Sequence, residues 1–318
     1  MRLRITHDTC FSYSPPVGMA LHMAHLKPPH TRCQERLDYQ LQVTPDPVVL
    51  NERLDIYRNV RSFFEIDKPH DSLLVRSTSL VHTNAPEIVV SPMTWEAVRD
   101  AFIYHADIQW HPAAEFVYPS IYVHPGPAFA DYARPSFQAG VPLMSAAMDL
   151  MHRIHTEFTY ASDSTEINTP AAEALANRRG VCQDFSQVML ACLRSMGVPA
   201  RYVSGYLLTQ PPPGMPRLVG SDASHAWVSV FLPDVAAKNG GHGWYDLCPT
   251  NHRHGWGTPG EDYIRLAVGR DYADISPMRG VIQGAGDHRL SVGVTVEPFE
   301  ALSLADAPAL APPLAPTL

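Results

Sequence analysis

A chain of 318 residues has room for one large domain or two ordinary ones, and 45% hydrophobic with 18% charged residues describes a folded protein rather than a disordered one. Its net charge of −8, with no dense Lys/Arg stripe to offset it, argues against a nucleic-acid partner. No apolar run approaches the roughly 20 residues that cross a bilayer, and MRLRITHDTCFSY lacks the apolar centre of a secretory peptide, so the expectation is no membrane segment and a cytoplasmic address.

The first part of the chain reads as strands. RLRITHDTCFSY and LDYQLQVTP alternate, RNVRSFFEI and SLLVRSTSLVHT continue the pattern, and Pro-rich or polar breaks separate them. This predicts an all-β module over 1–120, a sandwich or barrel by its strand count. The stretch from about 84 to 140 is Pro-rich and irregular with short helical pieces, and 121–140 serves as connector.

After Pro142 the period changes. LMSAAMDLMHRIHTEF is helical, with Leu143, Ala147, Leu150, Met151 and Ile154 near one face. A second helix starts with Thr169 as N-cap and Pro170 at the first helical position, and runs through AAEALAN. A third follows Gly180, and its Phe185, Val188, Met189, Cys192, Leu193 and Met196 form one stripe that Gly197 stops. Strands ARYVSGYLL, HAWVSVFL and GWYDLC come next, then RGVIQG and HRLSVGVTV, read as a closing hairpin. Helices followed by antiparallel strands give an α+β class with a second domain over 141–300. The Ala/Pro tail 301–318 is expected to be disordered.

Cys10, Cys33, Cys182, Cys192 and Cys248 form no CxxC pair, and in a reducing compartment all are thiols. Cys182 stands out because it opens the third helix. There the positive end of the helix dipole favours thiolate, and first-turn N–H groups suit a developing oxyanion. A thiol nucleophile needs a base, and the base an orienting partner. His225 opens a strand whose alternation puts His225, Trp227, Ser229 and Phe231 on one face; GWYDLC puts Trp244, Asp246 and Cys248 on one face of a strand expected to pair with it. Asp184, at the third helical position, reads as a complement to the helix start.

RRGVCQDFSQVMLACLRSMGVPARYVSGYL, DASHAWVSVFLPD and GWYDLCPTN, in that order, resemble the bacterial transglutaminase-like thiol enzymes. Looser similarity extends to GRDYADISPMRGVIQG and the N-terminal module. The resemblance implies a papain-like/transglutaminase-like α+β core preceded by an all-β module, covalent thiol catalysis without cofactor or metal, and a peptide or protein substrate. It matches Cys182 to the nucleophile and His225 to the base, and suggests Tyr160 as an oxyanion or substrate-binding donor. The family's D-P-T-N is here Cys248-Pro249-Thr250-Asn251, so a cysteine stands at the orienting aspartate position. Asp246, two residues earlier on the same face, is the expected replacement; otherwise some weaker acceptor holds His225. The implied activity is hydrolysis of amide or isopeptide bonds through an acyl-enzyme. Acyl transfer to an amine and a non-catalytic scaffold with a degenerate triad are the alternatives. A further reading, zinc held by His242, Cys248, His252 and His254, matches no closed ligand spacing.

Overall fold

The computed structural model describes residues 1–106, 110–161, 169–209, 223–284 and 286–299, so the 301–318 tail lies outside the described residues. The N-terminal strands are β1 (Arg2–Val17), β2 (Met19–Ala24), β3 (Gln34–Thr44), β4 (Val49–Leu54), β5 (Val60–Ile66) and β6 (His70–Thr83). Alternation is what selects β1: Leu3, Ile5, His7 and Thr9 are buried, with more accessible residues between them. β2 and β4 carry no such signal. Every residue of β4 is exposed, and backbone pairing to β5 alone defines the strand.

The short helices α1 (Trp95–Ala101) and α2 (Pro127–Ala133) occupy the Pro-rich stretch. α3 (Leu143–Glu157) follows, then β7 (Thr159–Tyr160), α4 (Ala171–Asn177), β8 (Arg179–Gly180) and α5 (Cys182–Ser195). α4 takes Pro170, not Thr169, as its N-cap. α5 buries the expected stripe, with Phe185, Val188, Met189, Cys192 and Leu193 all at most 2% exposed. Each of the larger side chains contributes about 1.5–3 kcal/mol by leaving water. Gly197, with φ 76°, follows the helix end in the left-handed conformation that only glycine adopts freely.

β9 (Ala200–Leu207), β10 (Ser224–Phe231), α6 (Pro233–Lys238), β11 (Trp244–Cys248), β12 (Arg253–Trp256), β13 (Tyr263–Gly269) and α7 (Tyr272–Ile275) come next. The strands form one antiparallel sheet in the order β12-β11-β10-β9-β13. α5 packs across β9 and β10. One face of the sheet gives Tyr202, Tyr206, Ala226, Val228 and Leu247 to the core shared with α5, and the other gathers Val203, Trp227, Cys248, Tyr263 and Val268.

β14 (Met278–Gln283) and β15 (Asp287–Pro298) do not form the expected hairpin. β14 pairs with β2, and β15 runs antiparallel along β1 from Pro298 opposite Leu3 to Asp287 opposite Ser14. They complete two sheets, β15-β1-β6-β3 and β14-β2-β5-β4, whose buried Tyr13, Val17, Phe64, Ile66, Leu73 and Val75 share one core. The β-rich part is therefore built from both ends of the chain. Edge strands are recruited through backbone groups, which the side-chain pattern does not report. Two primary amides join this part to the other sheet: Gln34 and Asn59 each donate to and accept from the β13 backbone, at Arg265 and Val268 respectively, over 2.7–2.9 Å. No helix among the described residues is long and apolar enough to cross a membrane.

Candidate active site

The first turn of α5 is fixed by its own sequence. Val181 is the N-cap, and the Asp184 carboxylate accepts its N–H over 2.8 Å, closing the helix start. That carboxylate lies against Gly180, where a Cβ would come within 2.6 Å of it, so only glycine fits. Cys182 is the first helical residue and is half-buried. It lies close enough to Tyr202 of β9 to act on its phenol, which burial first and Cys182 next push well above its ordinary range. Tyr160 pairs with Gly180 across the short parallel β7–β8 ladder, and its ring stands edge-on to Phe185 at 6.2 Å. The tyrosine expected near the nucleophile is thus beside the same helix turn, with 56% of its surface exposed.

His225 is the second residue of β10 and is 8% exposed. Its cross-strand partner is Gly205 of β9, where a Cβ would meet the Trp227 ring at 2.6 Å and the Ile264 carbonyl. Glycine is what lets this indole lie flat on the sheet beside the imidazole. Tyr263 stands edge-on to both rings, at 5.6 Å from His225 and 5.4 Å from Trp227. Burial pulls the imidazole down to about 4, with Asp262 opposing, so the ring is neutral at neutral pH.

The hydrogen-bond contacts of the ring leave through Nε2, to Cys248 Sγ at 3.2 Å and Asn251 Nδ2 at 3.4 Å. Cys182 is not among its hydrogen-bond partners in the described residues; the two residues lie on adjoining elements.

Asp246 is elsewhere. The β10–β11 register sets it opposite Ser229, four residues and roughly 13 Å along β10 from His225. Its carboxylate accepts from Ser229 Oγ and, over 3.3 Å, from Trp227 Nε1. Burial pushes that carboxyl up, while Arg201 and Arg265 on the same face oppose the shift. The expectation that Asp246 orients His225 is therefore corrected: the right face was assigned to the wrong rung, and Cys248 is the β11 side chain that reaches the imidazole. Burial also pushes the Cys248 thiol up, which keeps it neutral.

Two family models match the chain: the bacterial transglutaminase-like N-terminal region over residues 3–82 and the transglutaminase-like superfamily over 131–249. An uncharacterized protein of Mycobacterium tuberculosis is 38% identical over 305 residues, covering 94% of this chain and 93% of its own. The chain belongs to the transglutaminase-like superfamily. Superfamily membership extends to the fold: the crystal structure of a "Putative Cysteine Protease" from Cytophaga hutchinsonii superposes with a TM-score of 0.69 at 20% identity, over 95% of this chain and 91% of that one. A protein-glutamine gamma-glutamyltransferase of Pseudomonas aeruginosa is 27% identical over 124 residues, 39% of this chain and 18% of the relative. The superfamily match runs through Cys182, His225, Asp246 and Cys248.

The residues of the zinc reading are dispersed. His254 Nδ1 bonds the Tyr245 hydroxyl at 2.7 Å, His252 packs against His152 and His155 of α3, the His242 carbonyl accepts from Trp256, and Cys248 faces His225. Two neighbours of His225 were given no site role from the sequence, although one, Asn251, closes the Cys248–Asn251 motif. Tyr263 arrives on β13, which was not among the strands expected from the sequence, and Asn251 arrives through the four-residue turn between β11 and β12.

Proposed function

We propose that this protein is a thiol hydrolase of amide or isopeptide bonds in peptides or proteins, acting through a covalent acyl-enzyme. The observation that carries the reading is Cys182 at the first position of α5, inside a superfamily match that also spans His225. Cys182 Sγ attacks the substrate carbonyl carbon, and neutral His225 takes the thiol proton. The carbon–nitrogen bond breaks as His225 returns that proton to the leaving amine. Water, deprotonated by His225, then attacks the thioester, releasing the acid and restoring the thiol. The dipole of α5 lowers the cost of the thiolate, and Tyr160 stands beside that turn as a donor or a wall for substrate. The five cysteines are thiols without disulfides, which suits a reducing compartment such as the cytoplasm.

Similarity to the Pseudomonas aeruginosa glutamyltransferase supports a second reading, in which an amine replaces water at the thioester. The two share every step up to the acyl-enzyme.

The test is the pH dependence of Cys182 alkylation by iodoacetamide, with Cys182→Ala subtracting the other thiols. An inflection well below the free-thiol value of about 8.5 is expected. An inflection at or above it would leave the scaffold reading in possession. With an activated thiol in hand, glutamine peptides incubated with and without a primary amine separate hydrolysis from transfer by product mass. Cys182→Ser and His225→Ala should each lower turnover by about three orders of magnitude or more.

A further inference from the structure

A base that receives the Cys182 proton through Nδ1 must carry its own hydrogen on Nε2, and that hydrogen needs an acceptor. The nitrogen turned toward Cys248 and Asn251 is Nε2. Cys248 serves poorly: its thiol is held neutral by burial, neutral sulfur is a weak acceptor, and as a donor S–H would place the imidazole hydrogen on the wrong nitrogen.

The Asn251 amide has the better chemistry. Its outer end stands 3.4 Å from His225 Nε2 and 3.0 Å from the Tyr263 hydroxyl. A half-turn of the amide exchanges nitrogen and oxygen without changing the shape of the side chain. In that orientation Oδ1 accepts from Nε2–H and from the Tyr263 hydroxyl. Tyr263 suits the donor role because burial first, and Cys248 next, push its phenol far above its ordinary range.

The turn bearing Asn251 is held in place. His252 takes a left-handed φ of 51°, and the Thr250 carbonyl bonds His155 Nδ1 of α3 at 2.9 Å.

We propose that Asn251, fixed by Tyr263, is the positioning residue for His225, with Cys248 filling the space of the family's aspartate without its charge. The assignment rests on the reading of Cys182 and His225 as nucleophile and base. It makes the chain a Cys-His-Asn enzyme on a scaffold whose usual third member is an acid.

The experiment is the pH profile of Cys182 alkylation in the full chain, compared among the native protein, His225→Ala, Asn251→Ala, Cys248→Asp and the double variant Asn251→Ala/Cys248→Asp. Asn251→Ala should shift the profile toward that of His225→Ala and slow alkylation at pH 7 by roughly tenfold. In the Cys248→Asp background the same change should cost less than about threefold, because a carboxylate then holds Nε2. Tyr263→Phe, which loosens the amide without touching Nε2, should give a smaller shift in the same direction and serves if the buried aspartate impairs folding. An Asn251→Ala profile that superimposes on the native one while His225→Ala departs from it overturns the positioning role and leaves the base intact. Equal losses in both backgrounds also overturn it, since they mark a merely structural side chain. If His225→Ala itself superimposes on the native profile, the nucleophile–base reading falls and the positioning role falls with it.

Discussion

At one end of a single sheet face Asp246 lies between Ser229, Trp227 and the charges of Arg201 and Arg265; at the other, four residues along β10, His225 meets Cys248, Asn251 and Tyr263. The first cluster concentrates charge. Burial pulls Arg201 down to about 9 and lowers Arg265 as well, and Arg201 Nε is sealed from solvent with no hydrogen-bond partner among the described residues. In the second cluster a neutral thiol, amide and phenol touch a neutral imidazole, and the charges nearby, Arg253 and Asp262, are paired with each other. The difference separates two jobs that the family's aspartate pattern tempts one to merge. A carboxylate here sits among the buried guanidiniums, and uncharged groups contact the imidazole.

That contrast breaks first at Asp246. Asp246→Asn removes the counter-charge of two desolvated guanidiniums and should cost about 3–5 kcal/mol, read from urea unfolding, while the pH midpoint of Cys182 alkylation stays put. A shifted midpoint with native stability would return Asp246 to the catalytic group.

Acid titration tests the neutral end. His22, in the β-rich part, is pulled down to about 4 by burial first and His70 next, and His225 reaches about the same value. Both lie below the unfolded value of about 6.5, so the unfolded chain binds these protons more tightly. Stability is thus fully present above about pH 6.5 and is lost as pH falls toward 4, by about 3 kcal/mol for each imidazole. His22→Asn and His225→Asn should each flatten that decline in urea midpoints measured across the window. A decline unchanged by both substitutions would place the acid sensitivity elsewhere.

Cys248→Asp carries charge into the neutral end. A carboxylate beside Nε2 should raise the His225 value by about 1–3 pH units, seen in the imidazole proton resonances. No movement would mean that the β11 side chain does not govern the ring. The smallest effect belongs to Trp227, whose indole spans the two clusters. Trp227→Phe loses the 3.3 Å bond to Asp246 and should cost about 1–2 kcal/mol, with the alkylation midpoint unchanged.

Which parts of this were legible in the sequence follows from what each signal encodes. The α5 stripe and the Cys182 helix start are periodic and local, and the structure reproduces them. The antiparallel pairing of β10 with β11, and the faces of both strands, were equally readable. The rung was not. Asp246 and Cys248 share a phase, and only the register, with Ser229 opposite Asp246, separates them. Asn251 and Tyr263 depend on a turn with a left-handed His252 and on a strand whose pairing slips between Arg265 and Ala267, neither of which alternation encodes. β14 and β15 were misplaced because a strand at a sheet edge looks the same whichever neighbour it joins.

Gln34 and Asn59 bear on a different property, the fate of the sheet if the chain is cut. β13 is the last strand of its sheet, and at Arg265 and Val268 its outward amide and carbonyl groups are occupied by these two side chains from the β-rich part. A row of open backbone groups invites a strand from another molecule. Two carboxamides thus act as a stopper against polymerisation, and being uncharged they hold at any salt concentration. A fragment lacking residues 1–83 would lose the stopper and gain a sticky edge, so self-association, rather than an isolated working catalytic half, is what truncation should yield.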